Sequence, residues 1–139
     1  MEKQQQQELE SFLDQWQETS GKTKEVFVHF KACLSEKEGV ALDFVSRPGV
    51  TYSLRASSFN QKDKSVFVMV DVIEDSPRWL SSCFYEKMVT DPEKRGDSVP
   101  GGLQGEDAVC FDLEERDETL IDYIETRLDE AWYAAGDGV

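Results

Sequence analysis

The sequence is short of the residues from which most catalytic and metal sites are built. It has one histidine, His29, and three widely spaced cysteines, Cys33, Cys83 and Cys110. A histidine-based triad or a zinc cluster would depend on that single histidine, and no Cys-x-x-Cys or His-x-x-x-His spacing is present. We therefore expect His29 to be a surface residue, and the sequence predicts no catalytic residue, no metal and no cofactor.

The cysteines are too few and too far apart to indicate a disulfide framework. Because their number is odd and their spacing wide, we expect reduced and mostly buried thiols. Cys83 and Cys110 come together only if the last strand pairs with the fourth. They are then interpreted as packed thiols, with a redox pair or a soft-metal site as the alternative.

Long apolar stretches are also missing. No run approaches the ~20 residues that a membrane helix needs. The first residues, Met1–Gln7, lack the apolar core of a signal peptide. We expect a cytoplasmic protein without a membrane partner.

Positive charge is scarce. Lysine and arginine number 15 against 29 aspartates and glutamates, so the net charge is −14 at pH 7. Nucleic acid repels such a chain, and we expect no nucleic-acid partner. Many of the acidic residues lie between Asp112 and Glu130, where a solvated helix face is the expected explanation. The alternative is a surface that docks a basic protein by mimicking nucleic acid.

The segment Ser20–Thr23 has the end of a phosphate-binding P-loop but not its beginning. The motif requires a glycine five residues before its Gly-Lys pair, and that position holds Trp16. A helix, rather than the required strand, is predicted before the segment. We interpret it as a break between two helices.

Helices are predicted at both ends of the chain. Leu9, Phe12 and Trp16 share one stripe of a helix over about residues 2–18, and a second apolar stripe ends before Gly39. A third stripe follows Asp117, which is the expected N-cap of the last helix.

Between these helices the apolar residues recur with a period of two, which predicts strands. A three-residue loop at Arg47–Gly49 and a second loop at Glu74–Arg78 both place the even-numbered apolar residues on one face of the sheet. The second loop pairs Val72 with Leu80.

These patterns predict one α+β domain over residues 1–139. It is an antiparallel meander of four to five strands, with two N-terminal helices and one C-terminal helix packed on one face. The predicted segments are a helical pair (1–39), the meander (40–86), a long loop (87–107), a short strand (108–113) and the C-terminal helix (117–135).

The odd-numbered face of this sheet is the candidate site. The predicted register places Arg55 diagonal to Asp43 and beside Phe67, and it places Asp71 across from Thr51 and Ser81. Polar groups among aromatic ones suit a ligand pocket or a subunit interface beneath the 87–107 loop. The candidate residues are Asp43, Arg55, Phe67, Asp71, Cys83 and Tyr85.

We expect a small, acidic binding module that self-associates, or binds a protein partner or an unknown small ligand, on this face. One alternative is a small enzyme with Asp71 or Asp43 as base beside Arg55 and with Tyr85 as a proton donor. The other is the acidic mimic of nucleic acid. Without any site, the face is a half-covered sheet with a surface salt bridge worth under ~1 kcal/mol.

Overall fold

The computed structural model describes all 139 residues and contains three helices and one six-stranded antiparallel sheet. The predicted α+β class is therefore confirmed, with one strand more than expected. The helices are α1 (Lys3–Gln15), α2 (Thr23–Ser35) and α3 (Glu118–Gly136). The strands are β1 (Val40–Arg47), β2 (Thr51–Ser58), β3 (Val68–Ile73), β4 (Trp79–Tyr85), β5 (Asp97–Leu103) and β6 (Glu106–Leu113).

The strand order is β1-β2-β3-β4-β6-β5, so a four-strand meander is extended by a hairpin whose second strand lies inside. The prediction of a loop over 87–107 is wrong from Asp97 onward, because β5 occupies that part. Its Pro100, Gly101 and Gly102 are poor strand formers, and they lie at a register shift on the edge of the sheet, where such residues are tolerated. The short strand predicted over 108–113 begins two residues earlier, at Glu106.

All three helices pack against one side of the sheet, which we call the helix side. Phe12 of α1 stacks on Tyr52 of β2 with ring centroids 4.1 Å apart, and Phe27 of α2 meets Phe12 at 6.4 Å. Tyr123 of α3 meets Phe111 of β6 at 5.8 Å. These aromatic contacts join the helical stripes to the even-numbered residues of β1 to β4 and to the odd-numbered residues of β6.

An arginine closes this core at one end. The Arg78 guanidinium lies over the rings of Phe12, Tyr52 and Trp16, at 5.0, 5.2 and 5.6 Å from their centroids. Two 2.9 Å hydrogen bonds to the Glu74 carboxylate hold it there. The cation therefore covers apolar rings while its charge stays paired.

The break between the first two helices is confirmed, and α1 ends earlier than predicted. Trp16 is already extended, and the Glu18 carboxylate accepts hydrogen bonds from the backbone N–H groups of Lys24 and Glu25 at 3.2 and 2.9 Å. The first turn of α2 is thus capped by the chain's own carboxylate, in the position where a P-loop would bind phosphate.

Helices α2 and α3 run side by side in the same direction. Arg116, just before α3, forms a 3.2 Å ion pair with Glu25 in the first turn of α2. Lys37, just after α2, forms a 2.6 Å ion pair with Asp129, farther along α3. Asp117 accepts hydrogen bonds from two N–H groups of the first turn of α3, so its predicted role as N-cap is confirmed. None of the three helices combines the length and the apolar character that a bilayer crossing requires.

Candidate functional site

The sheet side away from the helices has no helix on it, and we call it the open face. It is built from odd-numbered positions of β1 to β4 and from even-numbered positions of β6, because side chains alternate along each strand. Its members include Asp43, Val45, Ser53, Arg55, Met69, Asp71, Ile73, Trp79, Ser81, Cys83, Cys110 and Asp112.

Asp71 lies in the middle of the open face, directly between Ser53 on one neighbouring strand and Ser81 on the other. Its Oδ1 atom is buried and has no hydrogen-bond partner. Burial raises the pKa of this carboxyl group, while the Ser53 hydroxyl and the guanidinium groups of Arg55 and Arg47 act in the opposite direction. The centre of the face thus contains an acceptor that the chain itself leaves unsatisfied.

Arg55 lies directly opposite Asp43 on β1 and opposite Met69 on β3. The predicted register was wrong by two residues here. Arg55 therefore lies on the predicted face of the sheet, but its partners on β1 and β3 differ from the predicted ones. Arg55 donates a hydrogen bond from Nε to the Ser53 hydroxyl at 3.2 Å and forms no ion pair with any carboxylate. The predicted salt bridge is therefore absent, and most of the donors of this guanidinium remain available.

Cys83 and Cys110 form a disulfide between β4 and β6, so the expectation of free thiols is wrong for this pair. Their Cα atoms are 4.1 Å apart, the closer of the two spacings that alternate along an antiparallel ladder. Beside them the Ser81 hydroxyl donates a 2.8 Å hydrogen bond to the Asp112 carboxylate. The disulfide ties the hairpin of β5 and β6 to the meander at the edge of the open face.

Two predicted site residues do not belong to an exposed surface. Phe67 and Tyr85 have the odd-numbered parity of the open face, but both are fully buried together with Leu103 and Ala108. We call these four residues the closed end. The turn between β5 and β6 covers them, and its Gln104 accepts hydrogen bonds from Tyr85 and Ser65. Sequence reasoning missed this cover because β5 was not predicted.

The enzymatic alternative needs groups that the fold keeps apart. Tyr85 lies four residues along β4 from Ser81, the cross-strand neighbour of Asp71, which corresponds to about 13 Å. A surface depression of about 690 Å³ lies beside the closed end, at Tyr85, Lys87 and Glu106, and not on the open face. Of the six predicted residues, Asp43, Arg55, Asp71 and Cys83 do share one continuous surface.

No protein-family model, curated protein or solved structure matches this chain.

Proposed function

We propose that this chain is a non-enzymatic binding module that pairs through its open face with another protein chain, in the first place a second copy of itself. The observation that supports this proposal is the combination of Asp71, a half-buried carboxylate with an unsatisfied oxygen, and Arg55, an unpaired guanidinium, on a sheet face without a covering layer.

The charges of the face suit a twofold arrangement. Arg55 lies directly opposite Asp43 on β1 and diagonal to Asp71 on β3. A second copy rotated by 180° can therefore bring each arginine to the partner's carboxylates. Met69, Ile73 and Trp79 are partly buried already and supply apolar area around these groups. The face therefore has both the polar centre and the apolar surroundings of an interface.

The size of the face is also adequate. Five strands of six to eight residues, at about 4.8 Å spacing and about 3.4 Å per residue, give a planar area of roughly 600 Å². A standard interface buries about 800 Å² on each partner, once the relief of the side chains is counted. A flat surface of this extent suits a protein partner better than a small ligand, which usually binds in a cleft.

The proposal is tested by sedimentation velocity over a range of protein concentrations at physiological ionic strength, where salt screens the repulsion between two copies of charge −14. We expect a dimer for the wild type, weakened by Arg55→Ala and abolished by Arg55→Glu. Arg116→Glu is the matched control: it makes the same charge change on an exposed arginine near α3, and it should leave the dimer intact. A wild type that is monomeric at every concentration would refute pairing with a second copy.

The acidic-mimic alternative has less support. Carboxylates of α3 are already used within the chain: Glu118 pairs with Arg116, Glu125 with His29, Asp129 with Lys37 and Glu130 with Arg127. A mimic of nucleic acid needs a stripe of free negative charge that can bind a basic partner. Salt-sensitive binding of a basic protein that survives Arg55→Glu would favour this alternative.

The disulfide bears on the cytoplasmic location that we expected from the sequence. Disulfides are rare in reducing compartments, so the Cys83–Cys110 bond is more typical of an oxidising one. Alkylation of free thiols in intact cells, followed by mass spectrometry, should find Cys83 and Cys110 reduced if the protein is cytoplasmic. Complete protection of both from alkylation would contradict that location.

A further inference from the structure

Three potential metal ligands of different chemistry meet on the helix side, away from the open face. His29 and Cys33 are one turn apart on α2, and Glu125 approaches them from α3. The Cys33 sulfur lies 3.7 Å from His29 Nε2 and 3.9 Å from a carboxylate oxygen of Glu125, and the histidine is hydrogen-bonded to the same carboxylate. The ligand atoms of all three residues lie within 4.8 Å of one another.

These distances are close to those of a tetrahedral zinc site. With bonds of about 2.3 Å to sulfur and about 2.1 Å to nitrogen or oxygen, neighbouring ligand atoms are separated by roughly 3.4–3.6 Å. The two distances from Cys33 Sγ exceed this range by a few tenths of an ångström, which side-chain rotation can supply. The hydrogen bond between His29 and Glu125 has to open to about 3.4 Å to admit an ion.

Contacts on both sides of the cluster join the two helices that carry the ligands. The ion pair of Arg116 with Glu25 lies toward the start of α2, and that of Lys37 with Asp129 lies beyond its end. Helices α2 and α3 are thus held together without the cluster, so the three ligand side chains already face each other. The side chains of His29 and Glu125 are 47% and 34% exposed, so an ion can reach them from solvent.

We propose that His29, Cys33 and Glu125 bind a divalent transition metal, with zinc as the first candidate and water as the fourth ligand. One nitrogen, one sulfur and one oxygen donor suit zinc, whereas magnesium and calcium take oxygen donors only. Three protein ligands with one open position are typical of zinc sites that retain a bound water. The cysteine gives up its proton to the solvent when the metal binds.

The test uses the full chain without a polyhistidine tag, after a thiol titration has established that Cys33 is the one free thiol. Cobalt(II) is added as a spectroscopic substitute for zinc. We expect binding at one ion per chain, with the visible bands of tetrahedral cobalt and a thiolate-to-cobalt charge-transfer band. Zinc should displace the cobalt and abolish both signals.

Variants assign the ligands. Cys33→Ser should remove the charge-transfer band, and Cys33→Ser, His29→Gln and Glu125→Gln should each weaken zinc binding by at least about 10-fold. Asp122→Asn is the matched control for Glu125→Gln, because it removes one charge from an exposed carboxylate of the same helix and should leave binding unchanged. Circular dichroism establishes that every variant is folded. Zinc binding that is no tighter in the wild type than in Cys33→Ser, or a charge-transfer band that persists in Cys33→Ser, would overturn the proposal.

Discussion

Replacing Asp71 by asparagine should stabilise the isolated protein, although it removes a negative charge from the proposed interface. A buried acceptor without a partner costs about 1–3 kcal/mol, and the two nearby guanidinium groups offset part of that cost. The amide keeps the shape of the side chain and is less costly to bury than an ionised carboxylate. We therefore expect a gain of about 1 kcal/mol in the free energy of unfolding at pH 7.

This gain corresponds to a measurable change in melting temperature. For 139 residues the entropy of unfolding is about 290 cal/mol/K, so about 1 kcal/mol raises the Tm by roughly 3 °C. Calorimetry should be done at a protein concentration below the dimer range, because association stabilises the folded state by mass action. Asp43→Asn is the matched control, since it makes the same charge change on an exposed carboxylate of the same face.

The gain should also depend on pH, with a sign fixed by the raised pKa of Asp71. The folded state holds this proton more tightly than the unfolded chain does, so the ionised carboxylate destabilises the fold above its folded-state pKa. That destabilisation is lost as the pH falls toward the unfolded value of about 3.9. The advantage of Asp71→Asn over Asp43→Asn should therefore shrink in acid. Destabilisation by Asp71→Asn at pH 7, or an advantage that grows in acid, would refute the reasoning.

Two further predictions concern the fold. Phe12→Ala should lower the free energy of unfolding by about 3–5 kcal/mol in urea titrations, because this ring is 4% exposed within the aromatic cluster. Phe59→Ala is the control: its ring is 77% exposed, and the substitution should change the free energy of unfolding by less than about 0.5 kcal/mol. Asp117→Ala should cost about 1 kcal/mol through loss of the N-cap of α3, while Asp122→Ala on the exposed face of that helix should cost little. Equal effects within either pair would contradict these assignments.

The alternation of side chains predicted which face of the sheet is buried, but it predicted the register of only one of the two hairpins. For the second hairpin the sequence pairs Val72 with Leu80, as the structure does. For the first hairpin the loop lies one residue later than predicted, so Arg55 pairs with Asp43 instead of lying diagonal to it. A shift of two residues keeps every side chain on its own face, so the apolar pattern cannot detect it.

The cover over the closed end could not be predicted from local patterns. Strand β5 contains one proline and two adjacent glycines, and its partner is the strand that follows it. Only the three-dimensional position of β6 beside β4 brings the turn at Gln104 over Tyr85. For the same reason the cluster of His29, Cys33 and Glu125 was missed, since its third ligand lies 92 residues beyond the cysteine. The His-x-x-x-Cys spacing on α2 was the one local signal for it.

The central claim, that the open face pairs with a second copy, is tested most directly by methionine oxidation. The chain has three methionines: Met69 is in the middle of the open face, Met1 is 40% exposed and Met88 is 5% exposed. Dilute peroxide converts accessible methionine to its sulfoxide, which mass spectrometry of peptides quantifies at each position.

We expect oxidation of Met69 to slow as the protein concentration rises through the dimer range, while the rates at Met1 and Met88 stay constant. In Arg55→Glu, the rate at Met69 should not depend on concentration. A rate at Met69 that is equally independent of concentration in the wild type would contradict the claim.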